Sequence, residues 1–108
     1  MAEDVRVYGD FHRISPDIYE QLKGAIPFDQ VEYDGDVLRV DHEGPYLYID
    51  DFLELIRDLL PENGYGHVEY IDEVEWEVTR YTIKPGGIQS KVVKVDNVVD
   101  AHQKEHGL

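Results

Sequence analysis

Five histidines, eight tyrosines and a large surplus of carboxylates are the side chains with which this chain could do chemistry. His102 and His106 stand four apart, so a helical tail would set both on one side with Glu105 beside them. Such a pair can hold a divalent cation, but a stable site wants a third ligand on a fixed scaffold. His12, His42 and His67 fall on expected strands among charged neighbours, where solvated rings are the simpler reading. Asp34, Asp36 and Asp41 lack the spacing of a calcium loop and its closing glutamate. Ser15 and Ser90 are the only serines, and neither sits in a nucleophile elbow. Gly64–Gly66 and Gly86-Gly87 lack the lysine and the strand–loop–helix context of a phosphate site. With no cysteine, disulfides, thiolate metal sites and thiol nucleophiles are excluded. We therefore assign no catalytic residue, no metal and no cofactor. An enzyme or small-ligand binder would need a dispersed site, for instance between the sheet and a helix over residues 51–60.

Charge says more. Phe28 to Val78 holds sixteen Asp/Glu against Arg39 and Arg57, which equals the formal charge of the whole chain, −14. Thr79 to Lys94 holds Arg80, Lys84, Lys91 and Lys94 and no carboxylate. The expectation is an acidic body with a basic tip, either a charge balance or a two-signed contact surface. Acidity on this scale argues against direct nucleic-acid binding or an anionic membrane and favours a basic protein partner. It also fits plain solubility, or a salt-rich cytoplasm. Glu69, Asp72, Glu73, Glu75 and Glu77 form the densest carboxylate cluster expected on a strand scaffold. With Arg80 and Tyr81 beyond them, they are the candidate partner-binding residues. Tyr46, Tyr48, Tyr65, Tyr70 and Tyr81 fall on expected strands, and tyrosine is enriched at protein interfaces. A sheet that bound RNA through such rings would need basic neighbours, and these have carboxylates.

The elements that must position these groups can be read from period and punctuation. Val74–Val99 is the longest strand-like stretch, broken by Pro85-Gly86-Gly87. Proline presets the first turn position and glycine accepts the positive φ of the next. A two-residue Pro85-Gly86 loop pairs Ile83 with Ile88, Val78 with Val93 and Trp76 with Val95, all apolar. The buried parity changes between Trp76/Val78 and Tyr81/Ile83, which predicts a bulge near Thr79–Arg80.

Upstream, Val5, Val7, Gly9 and Phe11 alternate with polar residues as a half-buried strand. Ser15-Pro16 starts a helix over 16–26 that Pro27 closes. Phe28–Tyr33 and Val37–His42 flank an Asp34-Gly35 turn. Tyr46–Ile49 reads as a short strand, and Asp51 with Glu54 as a capping-box variant opening the most apolar helix. Gly66–Ile71 is a further strand, Asp72-Glu73 a turn or bulge, and residues 101–108 a flexible tail.

The order β-α-β-β-β-α-β-β-β predicts one α+β domain over residues 1–100, a mainly antiparallel sheet with two helices on one face. Its first part resembles the split β-α-β plan of ferredoxin-like domains, which carries no activity with it. No apolar run is long enough to cross a bilayer, and the acidic start has no signal-peptide character, so a cytoplasmic location is expected. The leading functional expectation is an acidic interaction module or inhibitor. The alternative is a homodimer or larger assembly through the C-terminal hairpin, burying Tyr81 and Ile83.

Overall fold

A computed structural model of the chain describes residues 4–94. Strand β1 (Asp4–His12) buries Val5, Val7 and Phe11 and turns Arg6, Tyr8, Asp10 and His12 the other way, as its alternation requires. Helix α1 (Pro16–Leu22) begins where Ser15 Oγ accepts the Ile18 N–H at 3.3 Å with Pro16 just inside the cap, and it tightens into a 3-10 turn over Lys23–Ala25. Then come β2 (Gln30–Tyr33), β3 (Val37–Pro45), α2 (Asp50–Leu59), β4 (Tyr65–Asp72), β5 (Glu77–Lys84) and β6 (Gly87–Lys94).

The six strands form one antiparallel sheet in the order β2-β3-β1-β4-β5-β6. β3 lies between β1 and β2, the split β-α-β plan expected of the first part of the chain. With α2 and β4 the ferredoxin-like arrangement is complete, and the β5–β6 hairpin extends it by two strands. Directly paired residues of an antiparallel ladder share a face. Phe11 thus stands beside Leu38 and Gly66, and Gly9 beside Val40 and Val68. That face is the floor of the core, on which Leu22, Phe52, Leu53 and Ile56 of the two helices are buried. The Phe52 ring meets Phe11 and Phe28 edge-on, with centroids 5.8 and 5.7 Å apart. Gly66 carries no side chain because the Phe11 ring occupies the space a Cβ would need.

The hairpin forms in the expected register, Ile83 opposite Ile88 and Val78 opposite Val93. Pro85-Gly86 is the loop, with Gly86 at φ 79°, the glycine position of a type II turn. The expected pair of Trp76 with Val95 does not test the register, since Val95 and the His102/His106 tail lie outside the described residues. Trp76 itself lies in a turn over residues 73–76, at φ 54°, so β5 starts only at Glu77. No bulge interrupts β5 from Glu77 to Ile83: the parity switch arises because Val74 and Trp76 precede the strand and Val78 stands on the open face, opposite to Tyr81 and Ile83.

Other local expectations are corrected by tertiary contacts. Tyr46–Ile49 is irregular, not a strand. The Tyr70 hydroxyl donates to the Leu47 carbonyl at 2.9 Å and takes the Leu47 N–H at 3.4 Å, satisfying the backbone that a strand partner would have paired. Helix α2 starts one residue early, at Asp50, so Asp51 is inside the helix and forms no cap; the N-cap, Ile49, has no side-chain hydrogen bond. Asp34 Oδ1 accepts the N–H groups of Asp36 and Val37, which moves the β2–β3 turn centre one residue on, to Gly35-Asp36.

Tyr70 gives a pH test of this packing. Burial above all, with Tyr46 and Asp72 nearby and the Leu47 N–H opposing, pushes its phenol up to about 12. A raised tyrosine favours the neutral ring in the folded state, so its contribution is whole below about pH 10 and is lost as pH rises towards 12. Tyr70→Phe should lower stability by about 1 kcal/mol at neutral pH and flatten part of the alkaline loss. Urea unfolding from pH 7 to 11 checks both.

Candidate interaction surface

Among the described residues nothing covers the face of the sheet away from the helices, and most of it is polar. Register sets its side chains in rows across the strands. One row runs Glu32, Arg39, Asp10, His67, Thr82, Gln89 and the next Gln30, Asp41, Tyr8, Glu69, Arg80, Lys91. Over β2, β3, β1 and β4 this face is concave. It holds an open groove of about 880 Å³ lined by Tyr8, Asp10, Glu32, Asp41, His67 and Glu69, among others. Asp29 borders it just before β2, with its carboxylate beside His42 on the helix side, and Arg39 is the only guanidinium among the lining residues.

Fixed contacts hold the groove floor in shape. The Tyr8 hydroxyl donates to Glu69 Oε1 at 2.7 Å, and Arg80 Nε reaches Glu69 Oε2 at 3.3 Å. Arg6 lies 5.2 Å from the Tyr8 ring centroid and 3.4 Å from Asp41 Oδ2. The bond to Glu69, then burial and the Glu69 charge, raise the Tyr8 phenol above its ordinary range, against Arg6 and Arg80. Tyr8 therefore stays a donor at physiological pH. Asp10 accepts from His12 Nε2 at 3.2 Å, His12 stacks on Tyr65 at 4.4 Å, and Tyr65 meets His67 edge-on. One end of the groove is thus an aromatic strip.

The residues expected to bind a partner are divided among three places. Glu69 and Arg80 lie on the open face and pair with each other. Tyr81 points to the helix side, beside the core. Asp72 and Glu77 face each other where β4 and β5 end, with Glu73 and Glu75 in the turn between them. The sequence groups Asp41 only with Asp34 and Asp36 and does not single out Asp10 or Glu32, because three separate strands bring Asp10, Glu32 and Asp41 together. The three histidines do not converge: His12 and His67 are on the open face, whereas His42 is on the helix side. There Nε2–H donates to the Pro45 carbonyl at 2.8 Å, and the buried Nδ1 lies 3.4 Å from Asp29 without a hydrogen bond.

The basic tip is present as a margin of the same face. Lys84 and Lys91 are exposed on β5 and β6, so charge along the face changes from acidic over β2–β4 to basic at β6. Ile83 is fully buried in the core, so it is not free to meet a second copy, contrary to the pairing expected of the hairpin. Among the described residues no cluster of three or more His, Asp or Glu could hold a metal ion, and no helix is long and apolar enough to cross a membrane.

By fold and surface, then, this is a ferredoxin-like α+β domain extended by a hairpin, with an acidic groove on its open sheet face. Comparison with family models, curated proteins and solved structures gave no match, so its function must be argued from this face.

Proposed function

We propose that the chain is a protein-interaction module whose open sheet face receives a basic segment of a partner protein. One observation carries this reading: four carboxylates of the open face, Asp10, Glu32, Asp41 and Glu69, and a single guanidinium line a concave groove on the face the helices leave bare. Acidity kept only for solubility needs no concavity. Lysine or arginine side chains laid along the groove would keep their alkyl stems against the sheet and their charged heads among Asp10, Glu32 and Asp41. The contacts through Tyr8, Glu69 and Arg80 hold the floor ready, which reduces the ordering cost of binding. Surplus negative charge speeds encounter with a cationic partner and makes the rate fall with salt.

The test is calorimetric titration with an oligolysine peptide at rising ionic strength. Binding at low salt that weakens about tenfold or more by physiological salt is expected. No heat at low salt, or an affinity indifferent to salt, would remove the reading. Self-pairing through β6 is the other reading with an observation behind it. That strand lies at the sheet margin and exposes Val92. Its lysines would then meet their own copies, which disfavours it.

A further inference from the structure

The open groove leaves one feature of the molecule unused. The β4–β5 turn carries Val74 and Trp76, which are 52% and 51% exposed, and Trp76 is the only tryptophan in the chain. Neither side chain belongs to the core. On the adjoining strands Ile71, Val78 and Val93 form a cross-strand row on the open face, each half-buried. Glu73, Glu75 and Glu77 alternate with the two apolar residues, and no lysine or arginine occurs between Arg57 and Arg80.

We propose that this turn is a second interaction surface, an apolar knob inserted into a pocket on a partner protein whose rim is lysine or arginine. The apolar part fixes the pocket's interior, because an exposed tryptophan next to valine gains most from full desolvation, and tryptophan dominates interface hot spots. The carboxylates of Glu73 and Glu75 beside them fix the rim: an acidic rim would repel the turn, and an anionic lipid surface would do the same. The turn is presented in one shape. Asp72 Oδ1 accepts the N–H groups of Val74 and Glu75 at 2.9 and 3.0 Å, and the Glu73 N–H is bonded to the Asp4 carbonyl at 3.1 Å. This surface does not depend on the groove, whose lining residues are others.

Because the chain has a single tryptophan, its fluorescence reports on this turn alone. The probe is an amphipathic lysine/leucine helical peptide added to the full chain, with oligolysine and phosphatidylcholine vesicles as comparisons. The lysine/leucine peptide should move the emission to the blue and shield Trp76 from acrylamide. Oligolysine and the vesicles should do neither. Glu73→Gln with Glu75→Gln should weaken the peptide about tenfold, and Trp76→Ala likewise in a competition assay, while Trp76→Phe stays within about threefold of the parent. Lysine substitutions at Glu32 and Asp41 in the groove should leave the tryptophan signal unchanged. Unaltered emission with the lysine/leucine peptide would overturn the proposal. So would an equal shift with vesicles, or one insensitive to Glu73 and Glu75.

Discussion

Exchanging Glu32 and Asp41 for lysine should weaken oligolysine binding at low salt by roughly 100-fold or more, since like charge set against like costs several kcal/mol. Both carboxylates line the groove, and the exchange leaves its floor with lysines flanking Arg39. Stability should move little. Glu32 is exposed, and Asp41 gives up only a solvent-screened pair with Arg6, worth at most about 1 kcal/mol. The informative comparison is Glu54→Lys with Glu62→Lys, which makes the same change in net charge at exposed sites on α2 and after it. If the groove is the site, that pair keeps affinity within a fewfold of the parent. Equal losses from both pairs would mean that only net charge matters and that the groove has no special part.

A large loss of stability is expected at Gly66. Gly66→Ala forces a Cβ into the edge of the Phe11 ring, with the Asp10 carbonyl 3.3 Å away on the neighbouring strand. Phe11 is itself fully buried and braced by Phe52, so the ring has no free space to turn into. Overpacking of this kind costs about 1–3 kcal/mol, enough to lower the melting temperature of a domain this size by roughly 10 °C. Phe11→Leu shortens the offending side chain. Combined with Gly66→Ala it should cost clearly less than the sum of the two single changes, the mark of residues in contact. Thermal unfolding of the three variants measures this. A Gly66→Ala protein as stable as its parent would show that the ring moves aside freely.

Much of the fold could be read from local punctuation. Pro85-Gly86, with Ile83 and Ile88 beside it, carried the register of the hairpin, and Ser15-Pro16 marked the first helix. What escaped was decided by contacts distant in sequence. Tyr46–Ile49 has the alternation of a strand, yet its backbone is satisfied by the hydroxyl of Tyr70, which no local pattern announces. Trp76 has a strand residue's composition but lies in a turn whose shape is set by Asp72. The candidate surface was legible only in part. Glu69 and Arg80 were among the expected residues, whereas Asp10 and Asp41 are isolated carboxylates until β1 and β3 pair. The one local clue was the alternation of Arg6, Tyr8, Asp10 and His12, which marks a polar face but not what will flank it.

The place of β1 in the sheet has a consequence in time. The first strand made is the one that ends in the middle, and neither neighbour follows it directly: β3 comes after α1 and β2, and β4 after α2. A growing chain therefore carries β1 unpaired through α1 and β2 until β3 is made, and its other edge stays open until β4. Contacts so distant make for slow, cooperative closure. The groove inherits that schedule. Tyr8 and Asp10 meet Asp41 and Arg39 once β3 pairs, but the groove lacks His67 and Glu69 until β4 is added. The whole groove exists only once β4 has joined the sheet.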